Sequence, residues 1–222
     1  MIGGVFEATD GTGWQLNTMF NGVNLAESID ADEADQVQIW LPEIVDYEVW
    51  FNRLGTWRNF EDITEKFEDA HEDGCLPGTA FWYLSRSEEE FSTGTFSGQV
   101  NNSASLSKDD MLAGEYNMLA SPFPIPLQLN VVDGVKLFEV TDASSSTDAD
   151  EADQIQIWLP EIVDYEVWFN RLGTWRNFED ITEKFEDAHE DGLEVGKAFW
   201  YLSRGEEGTP VPTFYSPIAK PE

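Results

Sequence analysis

From Gln36 to Leu41 the chain alternates, with Val37, Ile39 and Leu41 on one face and Gln36, Gln38 and Trp40 on the other. A period of two predicts a half-buried strand, and Pro42 should end it. Asp46 to Arg53 alternates less cleanly: Tyr47, Val49 and Phe51 share one face while Trp50 lies opposite. Leu54-Gly55-Thr56 turns the chain and Trp57 to Asn59 begins a returning strand, so the stretch reads as an antiparallel meander with wide rings on both faces. From Phe60 to Asp73 the period changes. Phe60, Ile63, Phe67 and Ala70 fall on one helical stripe, Asn59 stands where a cap belongs, and Gly74 closes the segment. This predicts one short helix, which needs tertiary packing to hold. Alternation returns at Thr79 to Leu84, and a further strand is predicted from Thr93 to Val100. Upstream, Ile2 to Ala8 and Trp14 to Phe20 read as strands, parted by Asp10-Gly11-Thr12-Gly13 and followed by an Asn21-Gly22 turn.

This pattern is written twice. Asp30 to Gly74 returns as Asp148 to Gly192, and over those 45 positions the copies differ only at Val37 against Ile155. Ala80 to Arg86 returns as Ala198 to Arg204 at the same offset of 118 residues. Two domains are therefore expected, 1–105 and 106–222, joined through the polar stretch Asn101 to Asp110. The second opens with Glu115 to Ala120, read as the answer to Trp14 to Met19. Ser121 to Leu127 then carries proline at every other position and must be extended. Gly134 to Val140 adds a strand before the second meander (Gln154 to Asn177) and helix (Phe178 to Asp191), and Lys197 to Leu202 and Thr213 to Ser216 complete the unit. Pro210, Pro212, Pro217 and Pro221 make the tail irregular. The fold class expected is all-β or mainly β: two tandem antiparallel sandwich-like or partly open barrel domains, each with one short helix. A single continuous sandwich formed from both halves is the alternative.

Composition narrows the partners. The net charge is −32, and each copy of the long block carries fourteen acids against three basic residues. Nucleic acid and anionic membrane would be repelled, whereas a cation, a protein or a polysaccharide surface would not. No stretch is long and apolar enough to insert in a membrane. Cys75 is the only cysteine and Leu193 takes its place in the second copy, which points to apolar packing and excludes an internal disulfide. The segment from Met1 has neither a basic start nor a long apolar run, so it does not read as a signal peptide.

Two sets of side chains carry candidate chemistry. Asp30, Asp32, Glu33 and Asp35, repeated as Asp148, Asp150, Glu151 and Asp153, could offer oxygens to calcium, although the spacing lacks the glycine and the closing glutamate of a helix-loop-helix calcium site. The alternative is a solvated acidic loop. Alternation cannot hide both Trp50 and Tyr47, nor both Trp82 and Phe81, in one layer, so one face is expected to offer a platform for sugar stacking or protein contact, drawn from Trp50, Trp57 and Trp82 and their repeats Trp168, Trp175 and Trp200. His71 and His189 have no second histidine at metal-binding spacing and read as surface residues near a helix end. No glycine-rich phosphate cradle and no serine-nucleophile elbow is present, and the many carboxylates single out no glycosidase pair.

Glu115 to Asn130 (EYNMLASPFPIPLQLN), then DADEADQIQIW, then VGKAFWYLS, follow a further order. Tyr116, Asn117, Leu119, Pro122, Phe123 and Pro124 match a strand written G-x-N-L-x-x-N-P-F-P. Asp153, Gln154, Ile155, Gln156 and Trp158 match ADQIQ-x-W, and Gly196, Phe199 and Trp200 match G-x-x-F-W. In this the chain resembles modules in secreted proteins of Verrucomicrobia and related bacteria. The first unit departs at Trp14 to Asn21, where the prolines are missing. The resemblance implies an exported, β-sandwich-like module and brings no catalytic residues with it. The expected role is a noncatalytic structural or interaction module, extracellular or on a cell surface, with carbohydrate binding and a glycan-active enzyme as the alternatives.

Overall fold

A computed structural model describes residues 2–3, 6–7, 13–20, 23–86, 99–100, 105–108, 111–204 and 210–216. The predicted turn residues 10–12 and 21–22, most of the Thr93 to Val100 strand, much of the 101–110 junction, and Pro217 and Pro221 lie outside the described residues.

The protein is mainly β. In the first unit the strands are β1 (Ile2–Gly3), β2 (Phe6–Glu7), β3 (Gln36–Leu41), β4 (Asp46–Arg53), β5 (Thr56–Asn59), β6 (Ala80–Leu84) and β7 (Gln99–Val100). In the second they are β8 (Ser105–Ser107), β9 (Tyr116–Ala120), β10 (Phe138–Thr141), β11 (Gln154–Leu159), β12 (Asp164–Arg171), β13 (Thr174–Asn177), β14 (Ala198–Leu202) and β15 (Val211–Tyr215). Two antiparallel five-stranded sheets result, in the orders β1-β6-β3-β4-β5 and β9-β14-β11-β12-β13. Their registers are the same: Gln36 faces Phe51 across β3 and β4, as Gln154 faces Phe169 across β11 and β12. The sheets are open at both ends and do not close into barrels. β8 pairs with β15 in a smaller sheet, β10-β15-β8, so an expected boundary at residue 105 falls within a strand of the second unit.

Each large sheet buries one face. Val37, Trp50, Trp57, Phe67 and Phe81 form the first core, and Ile155, Ile157, Trp168, Phe185, Phe199 and Tyr201 form the second. Phe138 and Phe214 of the smaller sheet close over the second core.

Three expectations change. The predicted helices shrink to one turn each, α2 (Phe67–Ala70) and α3 (Phe185–Ala188). Residues 60–66 instead fold back on β5: Asn59 N–H donates to Glu65 O at 3.3 Å, and Asp62 Oδ1 accepts from Thr64 N–H and its hydroxyl. These local bonds compete with a helix too short to sustain itself, and Phe60 and Ile63 of the supposed stripe end up exposed. Trp14 to Phe20 is likewise no strand. Trp14 bridges Cys75, and a single turn, α1 (Leu16–Met19), follows.

The partner of Trp14 in the second unit is therefore not at Glu115 to Ala120. That segment, β9, pairs with β14 as β1 pairs with β6, so β9 answers β1. Trp14 is answered by Leu127, which bridges Leu193 as Trp14 bridges Cys75. The side chains agree: Gln15 Nε2 donates to the carbonyls of His71 and Glu72, and Gln128 Nε2 to those of His189 and Glu190. Asn17 and Asn130 donate to Glu68 and Glu186 in the same way. The strap passes so close that a Cβ on Gly74 would stand 2.8 Å from the Trp14 carbonyl, and one on Gly192 2.9 Å from the Leu127 oxygen. Both glycines also have positive φ, 66° and 79°, so each position excludes a side chain twice over.

Candidate functional site

The outer faces of the two large sheets meet each other. Trp40 packs edge-to-face on Trp200 at 5.2 Å between centroids, and Trp82 packs on Trp158 at 6.0 Å. Trp40 and Trp158 are equivalent in the repeat, as are Trp82 and Trp200, so the two contacts are one contact made reciprocally. Such self-matching is the mark of a two-fold interface, here within a single chain. Tyr47 joins Trp40 at 5.0 Å and Tyr165 joins Trp158 at the same distance, giving a layer of six rings. Trp40 Nε1 donates to Tyr116 O at 2.7 Å across the interface. Beside the rings Ala80, Ala120 and Ala198 pack together, small enough to let the sheets approach.

This arrangement decides where the six candidate stacking residues lie. Trp50, Trp57, Trp168 and Trp175 are core residues, with Trp50 and Trp168 wholly enclosed. An enclosed ring has no face to offer a ligand stack. Trp82 and Trp200 do lie on the outer face, but their rings are engaged with the other unit. The outer-face rings thus form a joint between the units, and Trp40, Tyr47, Tyr165 and Trp200 also line an open cleft at its edge.

The acidic runs divide in two. Asp35 and Asp153 are fully buried. Asp35 accepts from Ala26 N–H at 3.0 Å, Tyr83 O–H at 2.5 Å and Arg86 N–H at 2.6 Å. Asp153 repeats this with Ser144 N–H, Tyr201 O–H and Arg204 N–H. Burial pushes the Asp153 carboxyl above its usual value against the pull of these bonds, and burial together with Asp153 raises the Tyr201 hydroxyl. Asp30 Oδ1 accepts from Asp32 N–H, and Glu33 accepts from Ser28 O–H; Asp148, Asp150, Glu151 and Ser146 do the same. Among the described residues no three histidine, cysteine or acidic side chains converge on a point where they could hold a metal ion. The runs act as acceptors that shape a turn and pin it to the β6 and β14 ends.

His71 and His189 are partly buried rather than surface groups. His71 Nε2 lies 2.7 Å from Glu48 Oε2, and its ring stacks on Phe67 at 4.6 Å; His189, Glu166 and Phe185 repeat the arrangement. Burial raises the Glu48 carboxyl, but the hydrogen bond with His71 and the imidazole's charge help to outweigh it and hold it below its ordinary value. Cys75 is buried in the first core and burial pushes its thiol up to about 12, which suits packing and not nucleophilic chemistry.

Among the described residues outside the joint and the cores, a second duplicated set stands exposed beside Phe60, Ile63 and their repeats Phe178 and Ile181. At one end of β4, Ile44 and Val45 form the turn after Pro42, and at the other Leu54 and Gly55 form the turn into β5. About 3.3 Å per residue separates these ends by roughly 25 Å. Ile44 is 63% exposed and Leu54 64%; Ile162 and Leu172 match them at 62% and 68%. Val45, Leu54, Val163 and Leu172 all hold φ between 51° and 57°. A left-handed turn favours glycine or asparagine, and a β-branched residue there costs on the order of 1–3 kcal/mol. Strained, exposed apolar residues add nothing to the core, yet the same ones stand at equivalent places in both units. Compared with protein-family models, with curated proteins and with solved structures, the chain matches none.

Proposed function

We infer that the chain is a noncatalytic structural and interaction module of the cell exterior, two tandem sandwich-like units docked as one body. The observation that carries this reading is the duplicated pair of strained apolar turns. Trp82 and Trp200 are engaged with the other unit at the joint, whereas the turns are equivalent apolar surfaces open to a partner. Two equivalent sites on one body allow avidity, which raises apparent affinity by roughly 10²–10⁴ when both engage. Export is supported by the resemblance to secreted bacterial modules.

The test is sedimentation of the full chain with isolated cell envelopes from its source. Val45→Gly and Val163→Gly remove the apolar side chains and relieve the strained φ, so folding stability should hold or rise. Binding should fall about tenfold or more when one turn of the pair is changed and vanish when Ile44, Val45, Ile162 and Val163 are all replaced by glycine or serine. Undiminished sedimentation of the fourfold variant would refute the role of the turns.

A further inference from the structure

The second unit contains a cleft of about 390 Å³ bounded by α3, β13 and the chain from Leu129 to Ala143. One wall belongs to the repeated block: Asn170, Thr174, Trp175, Lys184 and Glu186. The same residue types stand in the first unit as Asn52, Thr56, Trp57, Lys66 and Glu68. The opposite wall differs. In the first unit Phe20, at the end of α1, lies against Trp57 at 5.3 Å and stacks on Tyr83 at 5.1 Å. In the second, the chain runs out to a turn at Val132 and Val135 and returns as β10, whose Phe138 stands 6.4 Å from Trp175. The equivalent path, Leu16 to Ala26, is five residues shorter than Leu129 to Ser144. The added length builds the cleft.

The charges inside it cancel. Lys136 pairs with Glu139 at 2.8 Å and Lys184 with Glu186 at 3.6 Å. Each ammonium has three N–H groups and keeps donors to spare, and each carboxylate keeps lone pairs after accepting from Tyr215 O–H or Asn130 Nδ2. Asn170 is 8% exposed and lines the cleft; its Oδ1 accepts from Gly173 N–H at 3.0 Å, which leaves its amide nitrogen as a donor with no protein acceptor among the described residues. Its counterpart, Asn52 Nδ2, is sealed and unpartnered in the first unit. Leu129 and Val140 supply apolar patches between the polar groups.

We propose that this cleft binds a small neutral saccharide of one or two rings. An anion would meet ammonium groups that are already neutralised, in a chain of net charge −32. A cation would meet carboxylates already paired. A sugar offers hydroxyls that both donate and accept, and C–H patches that suit the apolar wall, without a charge to balance. Gly173 of the Leu172 turn lines the cleft, but the Ile44-Val45 and Ile162-Val163 turns changed in the sedimentation test do not, so the two failures are read independently.

The experiment is a titration of the full chain with neutral monosaccharides and disaccharides, followed by calorimetry and by tryptophan fluorescence. Saturable binding is expected, weakened at least tenfold by Val131→Trp, which fills the mouth from an exposed position, and by Lys136→Met. Lys66→Met, at the equivalent of Lys184 in the first unit, should leave affinity unchanged. The proposal is overturned by no saturable binding of any neutral sugar, by binding that survives Val131→Trp, or by tighter binding of a phosphorylated or carboxylated sugar than of its neutral parent.

Discussion

Replacing Asp153 by alanine removes one acceptor from three donors at once. Ser144 and Arg204 are not buried residues, so each N–H is taken to lose only the net worth of a protein hydrogen bond, about 0.5–1.5 kcal/mol. Tyr201 is fully buried, and its hydroxyl is left orphaned at a cost of about 1–3 kcal/mol. The loss should total roughly 2–6 kcal/mol, offset in part because burial already disfavours the Asp153 charge. At about 2–4 °C per kcal/mol for a chain of this size, the melting temperature should fall by about 10 °C. Denaturant unfolding of Asp153→Ala, Tyr201→Phe and the double variant separates the causes. Removing the hydroxyl from the alanine variant removes the orphan, so the double variant should be at least as stable as Asp153→Ala, with a coupling of about 1–3 kcal/mol. Strict additivity, or an Asp153→Ala loss below about 0.5 kcal/mol, would refute the view that this carboxylate pins the turn to the sheet.

Three further outcomes follow from the same structure. Ala198→Leu forces three carbons into the point where Ala80, Ala120 and Ala198 meet, at a cost of about 1–3 kcal/mol, and should split a single calorimetric transition into two as the units uncouple; one unshifted transition would contradict the docked joint. Glu48 and Glu166 have lowered carboxyls, so their stabilisation is present above the unfolded value of 4.5 and is lost as pH falls through the folded values. The stability gap between the wild type and Glu48→Gln/Glu166→Gln should therefore close on titration from pH 7 to pH 3; Asp153, with its raised carboxyl, acts in the opposite sense and is common to both proteins. Melting temperatures in chelator and in calcium, at constant ionic strength, should coincide, because Asp35 and Asp153 already spend their oxygens on protein donors; a saturable rise with calcium would restore the acidic runs as metal ligands.

The meanders were legible in their alternation, and Val37 is inward as its spacing requires; in β4, however, it is Trp50, opposite Tyr47, Val49 and Phe51, that enters the core. The helix was not, because a periodic stripe cannot show that Asp62 and Thr64 will bond locally and turn Phe60 and Ile63 outward. The strap was misread for a different reason. Its signature, Gln-Leu-Asn at 15–17 and 128–130, is present in both copies but at an offset of 113 residues rather than 118. A search tied to one period passes over it, and only the paired carbonyls of His71 and His189 reveal the match. The aromatic face was visible as an excess of rings that one layer could not hold. That its occupant is the other half of the chain depends on packing between units, to which local pattern is blind.

A surface that matches its own repeat matches any other copy of itself equally well. Trp40 and Trp82 of one molecule would find Trp158 and Trp200 of a neighbour as complementary as their own. Tethering holds the closed form by supplying an effective concentration in the millimolar range. Above it, or after partial unfolding, two opened molecules can exchange halves and form a closed dimer with every native contact retained. Such dimers would look native by spectroscopy and be distinguished only by mass, so preparations of this protein would then carry a history that depends on the concentration at which they were last folded.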